Sequence, residues 1–97
     1  MKTIDEIKML IRQNKEELGL QYGVKEIGIF GSFVKGMQKE DSDLDILIEF
    51  ERPIGFVRFM RLENMLSKLF GVRVELVTKK ALKPYIGQRI LKEVVYV

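Results

Sequence analysis

The order of apolar and polar positions divides the 97-residue chain into a short series of elements. Ile4, Ile7, Leu10, Ile11 and Leu18 form one stripe at helical spacing. Thr3 and Glu6 stand at the separation of a capping box, so the pattern predicts an amphipathic helix over about Thr3–Leu18, with Gly19 and Gly23 bracketing its exit. Val24–Phe30 alternates as a strand, with Ile27 and Ile29 on one face. A short helix is expected from Ser32 to about Met37, then a polar loop over Gln38–Ser42. Asp43–Phe50 is the clearest strand in the chain. Beyond a turn at Glu51–Gly55, which contains Pro53, the spacing predicts a helix over Phe56–Phe70 that Gly71 ends. A third strand over Val72–Val77 follows, then a helix over about Tyr85–Leu91 opened by Pro84, and a β-prone tail over Val94–Val97. No repeat, linker or low-complexity segment interrupts the series, so residues 1–97 are read as one domain.

Alternation also assigns faces. On the second strand Leu44, Ile46, Ile48 and Phe50 point one way, which leaves Asp43, Asp45 and Glu49 on the other. On the third strand Val72, Val74 and Leu76 share a face, and Glu75 opposes them. If both apolar faces lie against helices, Asp43, Asp45 and Glu75 emerge together on the uncovered side. Like charges gathered there repel unless a cation is bound.

Composition narrows the chemistry. The chain holds no cysteine and no histidine, which excludes thiol catalysis and cysteine-ligated zinc and leaves carboxylates, Lys, Tyr or metal-bound groups for proton transfer. Lack of cysteine, of a signal pattern and of a long apolar run fits a cytoplasmic protein with no membrane segment. The net charge of +3 hides an asymmetry, with 7 basic and 10 acidic residues in positions 1–50 against 10 and 4 in positions 51–97. The basic half is read as a solvated surface in preference to a nucleic-acid contact.

The residues that carry chemistry are close in sequence. Gly31-Ser32 lies between a strand and a short helix, where glycine permits close approach of a ligand and helix N–H groups face an anion. Lys35 follows one turn later. Ten residues separate Ser32 from the pair Asp43-x-Asp45. Two carboxylates at that spacing on one strand face can share a hard cation, with water and phosphate oxygens completing its shell. Taken singly, Ser32 reads as a helix cap, and Asp43 and Asp45 as a turn residue and an exposed strand position. Together with Glu75 on the same face they read as a site for metal and nucleoside triphosphate. The spacing is not that of a P-loop, of the dinucleotide fingerprint, or of a calcium loop, in which Ile46 and Arg52 would hold the glycine and glutamate places. Phe33 and Tyr22 are candidates to border a nucleotide, and Tyr85 and Tyr96 to lie at an interface, against a plain half-buried role for each.

The segments Ile29–Gly36, Asp41–Phe50 and Val72–Thr78 closely resemble the minimal nucleotidyltransferases of the DNA polymerase β-like superfamily, and with the flanking helices the likeness covers nearly the whole chain. The resemblance implies an α/β (α+β) fold, with a small mixed sheet of three to four strands and helices packed mainly on one face. It implies Gly31, Ser32 and Lys35 as nucleotide-binding residues, and Asp43, Asp45 and Glu75 as catalytic residues and metal ligands for two Mg²⁺ ions. Glu75 stands where many relatives have Asp, and Lys35 where Arg is frequent. Proteins of this kind pair with HEPN-domain toxins, so the resemblance also implies an antitoxin in a hetero-oligomer. It would transfer AMP from ATP to a tyrosine of its partner. The alternatives are neutralisation by occlusion without catalysis, or nucleotidyl transfer to a small molecule.

Overall fold

The computed structural model describes residues 2–82 and 84–97, with the side chains of Tyr85 and Ile86 left aside. The order along the chain is α1 (Ile4–Tyr22), β1 (Val24–Phe30), α2 (Ser32–Lys35), β2 (Leu44–Phe50), α3 (Gly55–Phe70), β3 (Val74–Thr78), a 3₁₀ turn at Lys79–Ala81, α4 (Pro84–Glu93) and β4 (Val95–Tyr96). The strands form one mixed sheet in the order β3-β2-β1-β4. β2 runs antiparallel to β1 and parallel to β3, and β4 is antiparallel to β1. The parallel pair needs a crossover, which α3 supplies.

Local chemistry explains most boundaries. Thr3 caps α1 in a reciprocal capping box with Glu6. The helix runs four residues past the expected end at Leu18, because Gly19 is tolerated inside it, at a cost of about 1 kcal/mol. Gly23, with φ 68°, adopts the left-handed turn that stops it, donating its N–H to Gly19 O at 3.0 Å. β3 starts two residues later than the pattern suggests. Gly71 ends α3 in a left-handed turn, and the chain needs Val72 and Arg73 to swing into line with β2, where Arg73 O accepts from Leu44 N–H at 2.8 Å. The tail does become a strand, pairing Val95 with Ile29 and Tyr96 with Gly28. Gly28 has no side chain for a reason: a Cβ there would lie 2.6 Å from Val94 Cγ2.

The core lies between α1, α3 and one face of the sheet. Ile7, Ile11 and Leu18 of α1 and Leu62, Leu66 and Phe70 of α3 meet Ile27, Ile29, Leu44, Ile46, Ile48, Val74 and Leu76. Truncating a fully buried member such as Leu66 to Ala would cost about 2–5 kcal/mol. Phe33 belongs to this cluster at 2% exposure, so its ring packs in the core. Tyr22 stands at the far end of β1 from Gly31, half-buried beneath the Arg58 guanidinium, 5.7 Å from the ring centre. The side chain of Tyr85 falls outside the described residues. Two side chains of α3 close the β3 edge: Ser67 Oγ accepts from Val74 N–H at 3.0 Å and Glu63 Oε2 from Leu76 N–H at 2.9 Å. Such capping leaves fewer free backbone groups for strand addition. No helix among the described residues is long and apolar enough to cross a membrane.

The opposite face is not open along its whole length. Leu47 points away from α1 and α3 and is still only 1% exposed. Leu82 and Ile90, from the segment leading into α4 and from α4 itself, border a cavity with Phe30 and Val77 on that side. The acidic positions therefore sit at the margin of a partly roofed face.

Candidate active site

Register decides which carboxylates meet. Asp45 and Glu75 are direct partners across the parallel pair β2–β3, and Phe30 is the partner of Asp45 across β1–β2. Paired strands lie about 4.8 Å apart, so the two acidic side chains rise from neighbouring backbones on one face. Asp43 sits one residue before β2, not within it, and is half-buried. Among the described residues no three acidic side chains converge closely enough to hold a metal ion as one cluster. The structure thus brings Asp45 and Glu75 side by side and places Asp43 near them at the strand mouth.

The electrostatics fit that arrangement. Asp45 has its pKa raised to about 6, first by burial, then by the negative charges of Glu75 and Asp43, by a hydrogen bond with the Glu75 carboxyl, and by Glu93. No ion pair within 4.0 Å neutralises Asp43, Asp45 or Glu75 among the described residues. A pair in this state binds a proton or a cation.

Gly31 is built into the same corner. With φ 79° and ψ −150° it leads directly into α2, and its Cα side faces the Asp45 carboxylate. A Cβ at position 31 would lie 3.0 Å from Asp45 Cγ and collide with Oδ2, so only glycine lets the turn approach the acid. Ser32 opens the single turn of α2 and is half-buried, while Gly31 O accepts from Val34 N–H at 3.1 Å and Lys35 N–H at 3.2 Å. Lys35 is not directed at the acidic pair; its Nζ lies 3.3 Å from Glu93 Oε2. Glu93 also accepts the Gly31 N–H, through Oε1, at 3.3 Å. Nothing in the sequence pattern marks Glu93, since it reaches this corner from 62 residues away.

A cavity of about 430 Å³ adjoins the pair, bounded by Phe30, Asp45, Glu75, Val77, Leu82 and Ile90. A more apolar cavity of about 390 Å³ lies at the far end of β2, between Phe50, Ile54, Phe56 and Phe59, with Arg52 and Lys80 on its rim. Charge placement, not apolar volume, is what phosphate chemistry needs, and the acidic cavity has it.

Residues 7–97 match the family model of the nucleotidyltransferase domain. The chain belongs to the nucleotidyltransferase domain family. It is 48% identical to the protein adenylyltransferase MntA of Thermococcus cleftensis over 97 residues, covering 100% of this chain and 98% of that protein. A solved structure classed with the minimal nucleotidyltransferases superposes with a TM-score of 0.74 at 32% identity, covering 92% of this chain and 93% of the other. A tri-AMPylated Shewanella oneidensis HEPN toxin in complex with its MNT antitoxin includes a chain of the same fold, with TM-score 0.62, 18% identity and coverage of 95% and 66%. The four-stranded mixed sheet is that of the minimal nucleotidyltransferases.

Proposed function

We propose that this nucleotidyltransferase moves AMP from ATP to a tyrosine hydroxyl of a HEPN-domain partner and thereby acts as an antitoxin. The observation that carries the reading is the Asp45–Glu75 pair, in register, without an ion-pair partner among the described residues, and with Asp45 packed against the Gly31 turn. The likeness to an archaeal protein adenylyltransferase over the whole chain supports the choice of AMP and of a protein acceptor.

In this reading the Gly31–Ser32 turn and Lys35 hold the polyphosphate, and Asp43, Asp45 and Glu75 present its α-phosphate to the acceptor. The donor set, all hard oxygen, suits Mg²⁺, and the raised Asp45 pKa is that of a group that favours an added positive charge. Magnesium held by these carboxylates would neutralise charge on the phosphates and lower the pKa of the acceptor hydroxyl. The tyrosine oxygen forms a new bond to the α-phosphorus as the bond to the β-phosphate oxygen breaks and pyrophosphate leaves. The phenolic proton passes to the Glu75 carboxylate and from there to solvent. Positioning and charge neutralisation are the main demands of such a transfer.

Incubating the protein with Mg²⁺, α-labelled ATP and a HEPN-domain protein encoded beside it should label the partner, and a tyrosine-to-phenylalanine change in the partner should remove the label. Absence of labelling beside an active control contradicts the proposal. A second reading, silencing by occlusion, draws on the apolar surface at the start of α3, where Phe56 is 77% and Val57 62% exposed. Changing Asp43 and Asp45 together to Asn separates the two. Catalysis requires that silencing is lost while the complex still forms; occlusion requires that silencing persists.

A further inference from the structure

The last helix ends inside the turn assigned to phosphate. Glu93, the final residue of α4, offers Oε1 to the Gly31 N–H and Oε2 to Lys35 Nζ, each at 3.3 Å. Those donors are two of the groups that the proposed function gives to the triphosphate. A carboxylate bridging a backbone N–H and an ammonium makes the contacts that two phosphate oxygens would make.

The placement is imposed by the segment that follows. Val94 N–H closes the helix on Ile90 O at 2.9 Å, and Val95 and Tyr96 then pair with Ile29 and Gly28 of β1. Val97 donates to Ile27 O at 3.0 Å, and its own carbonyl accepts Lys15 Nζ at 2.8 Å. The bare Cα of Gly28 is what lets Val94 and Tyr96 lie so close to β1. β4 therefore pins the end of α4 beside the Gly31 turn, and the Glu93 side chain is only 27% exposed there.

We propose that Glu93 is an internal stand-in for a nucleotide phosphate, which a bound triphosphate displaces from Gly31 and Lys35. The inference rests on the assignment of those two residues to the triphosphate. It makes Glu93 an affinity-setting residue, not a catalytic one. In the free protein it satisfies the turn and holds Lys35 away from Asp45 and Glu75, leaving that pair free for a cation. With nucleotide bound, the Glu93 carboxylate leaves, and the short β4 pairing that fixes it loosens.

Calorimetric titration with magnesium and the non-hydrolysable analogue AMP-PNP tests this on the whole chain and on Glu93→Gln and Glu93→Ala. Glu93→Gln should bind about 3- to 10-fold tighter than the unaltered protein, because the competing charge is gone, and Glu93→Ala at least as tightly. Equal or weaker binding by both variants, with the unaltered protein binding, overturns the stand-in and leaves the phosphate assignment intact. Absence of binding by all three folded proteins overturns both. Should the variants fail to fold, amide exchange on the unaltered protein decides. The analogue should accelerate exchange at residues 95–97, and unchanged or slower exchange refutes the displacement.

Discussion

Two acidic pairs lie across neighbouring strands on the same face of the sheet, two rungs apart along β2, and their surroundings differ. Glu26 and Glu49 are partners across β1–β2, and Lys79 and Lys25 lie 3.8 Å and 3.9 Å from them, respectively. Asp45 and Glu75 are partners across β2–β3, and among the described residues no cation lies within ion-pair distance of either. Like charges directly opposite destabilise a sheet unless something offsets them. At the first pair the chain supplies its own lysines, and the arrangement is complete. At the second, Lys35 of the adjoining turn is held by Glu93, and Asp45 is left half-buried with its pKa raised to about 6. On the proposed function, the difference separates a solvated surface feature from a site that takes up an external cation.

The sharpest way to break the comparison is to remove charge from each pair in turn. Asp43→Asn with Asp45→Asn should lower AMP transfer by at least about 100-fold, whereas Glu26→Gln with Glu49→Gln should leave it within about 2-fold, read as initial rates with a labelled partner. Gly31→Ala should come next. Positive φ and the collision with Asp45 together should cost about 1–3 kcal/mol in urea unfolding and abolish nucleotide binding. A methyl added at Gly36, whose surroundings are open, should cost only the strain of its φ of 70°.

A pH series sharpens the contrast further. Asp45 has a folded pKa above its ordinary value of 3.8, so the folded state holds the extra proton between those limits. Its contribution to stability is therefore fully present below pH 3.8 and is lost as pH rises through about 6. Without divalent cation, Asp45→Asn should flatten that decline and gain about 1 kcal/mol near pH 8, a modest figure because the group is partly solvated. Magnesium should recover a similar amount in the unaltered protein and none in the variant, as followed by thermal unfolding. The smallest effect is expected at Lys25→Gln, within about 0.5 kcal/mol, since exposed ion pairs contribute little.

Much of this site is legible in the order of residues alone. Alternation over Leu44–Phe50, broken by the apolar Leu47, assigns Asp45 and Glu49 to one face, and the same rule sets Glu75 opposite Val74 and Leu76. The direct pairing of Asp45 with Glu75 is not, because the register of a parallel pair depends on how α3 returns the chain, not on local pattern. Asp43 falls just outside the strand for a related reason, since the first β2 bond is made by Leu44 N–H to Arg73 O. The partial roof over the acidic face escapes sequence reasoning because a short helix such as α4 shows no long stripe. Glu93, Glu63 and Ser67 act through contacts that local sequence does not encode: one reaches a turn 62 residues away, and two cap the backbone of a neighbouring edge.

Manganese binding in the presence of AMP-PNP, followed by electron paramagnetic resonance, tests the central claim most directly. Asp45→Asn with Glu75→Gln should abolish the bound-manganese signal, while Glu26→Gln with Glu49→Gln should leave it intact. Retention of that signal without Asp45 and Glu75, in a folded protein, would show that the cation is held elsewhere.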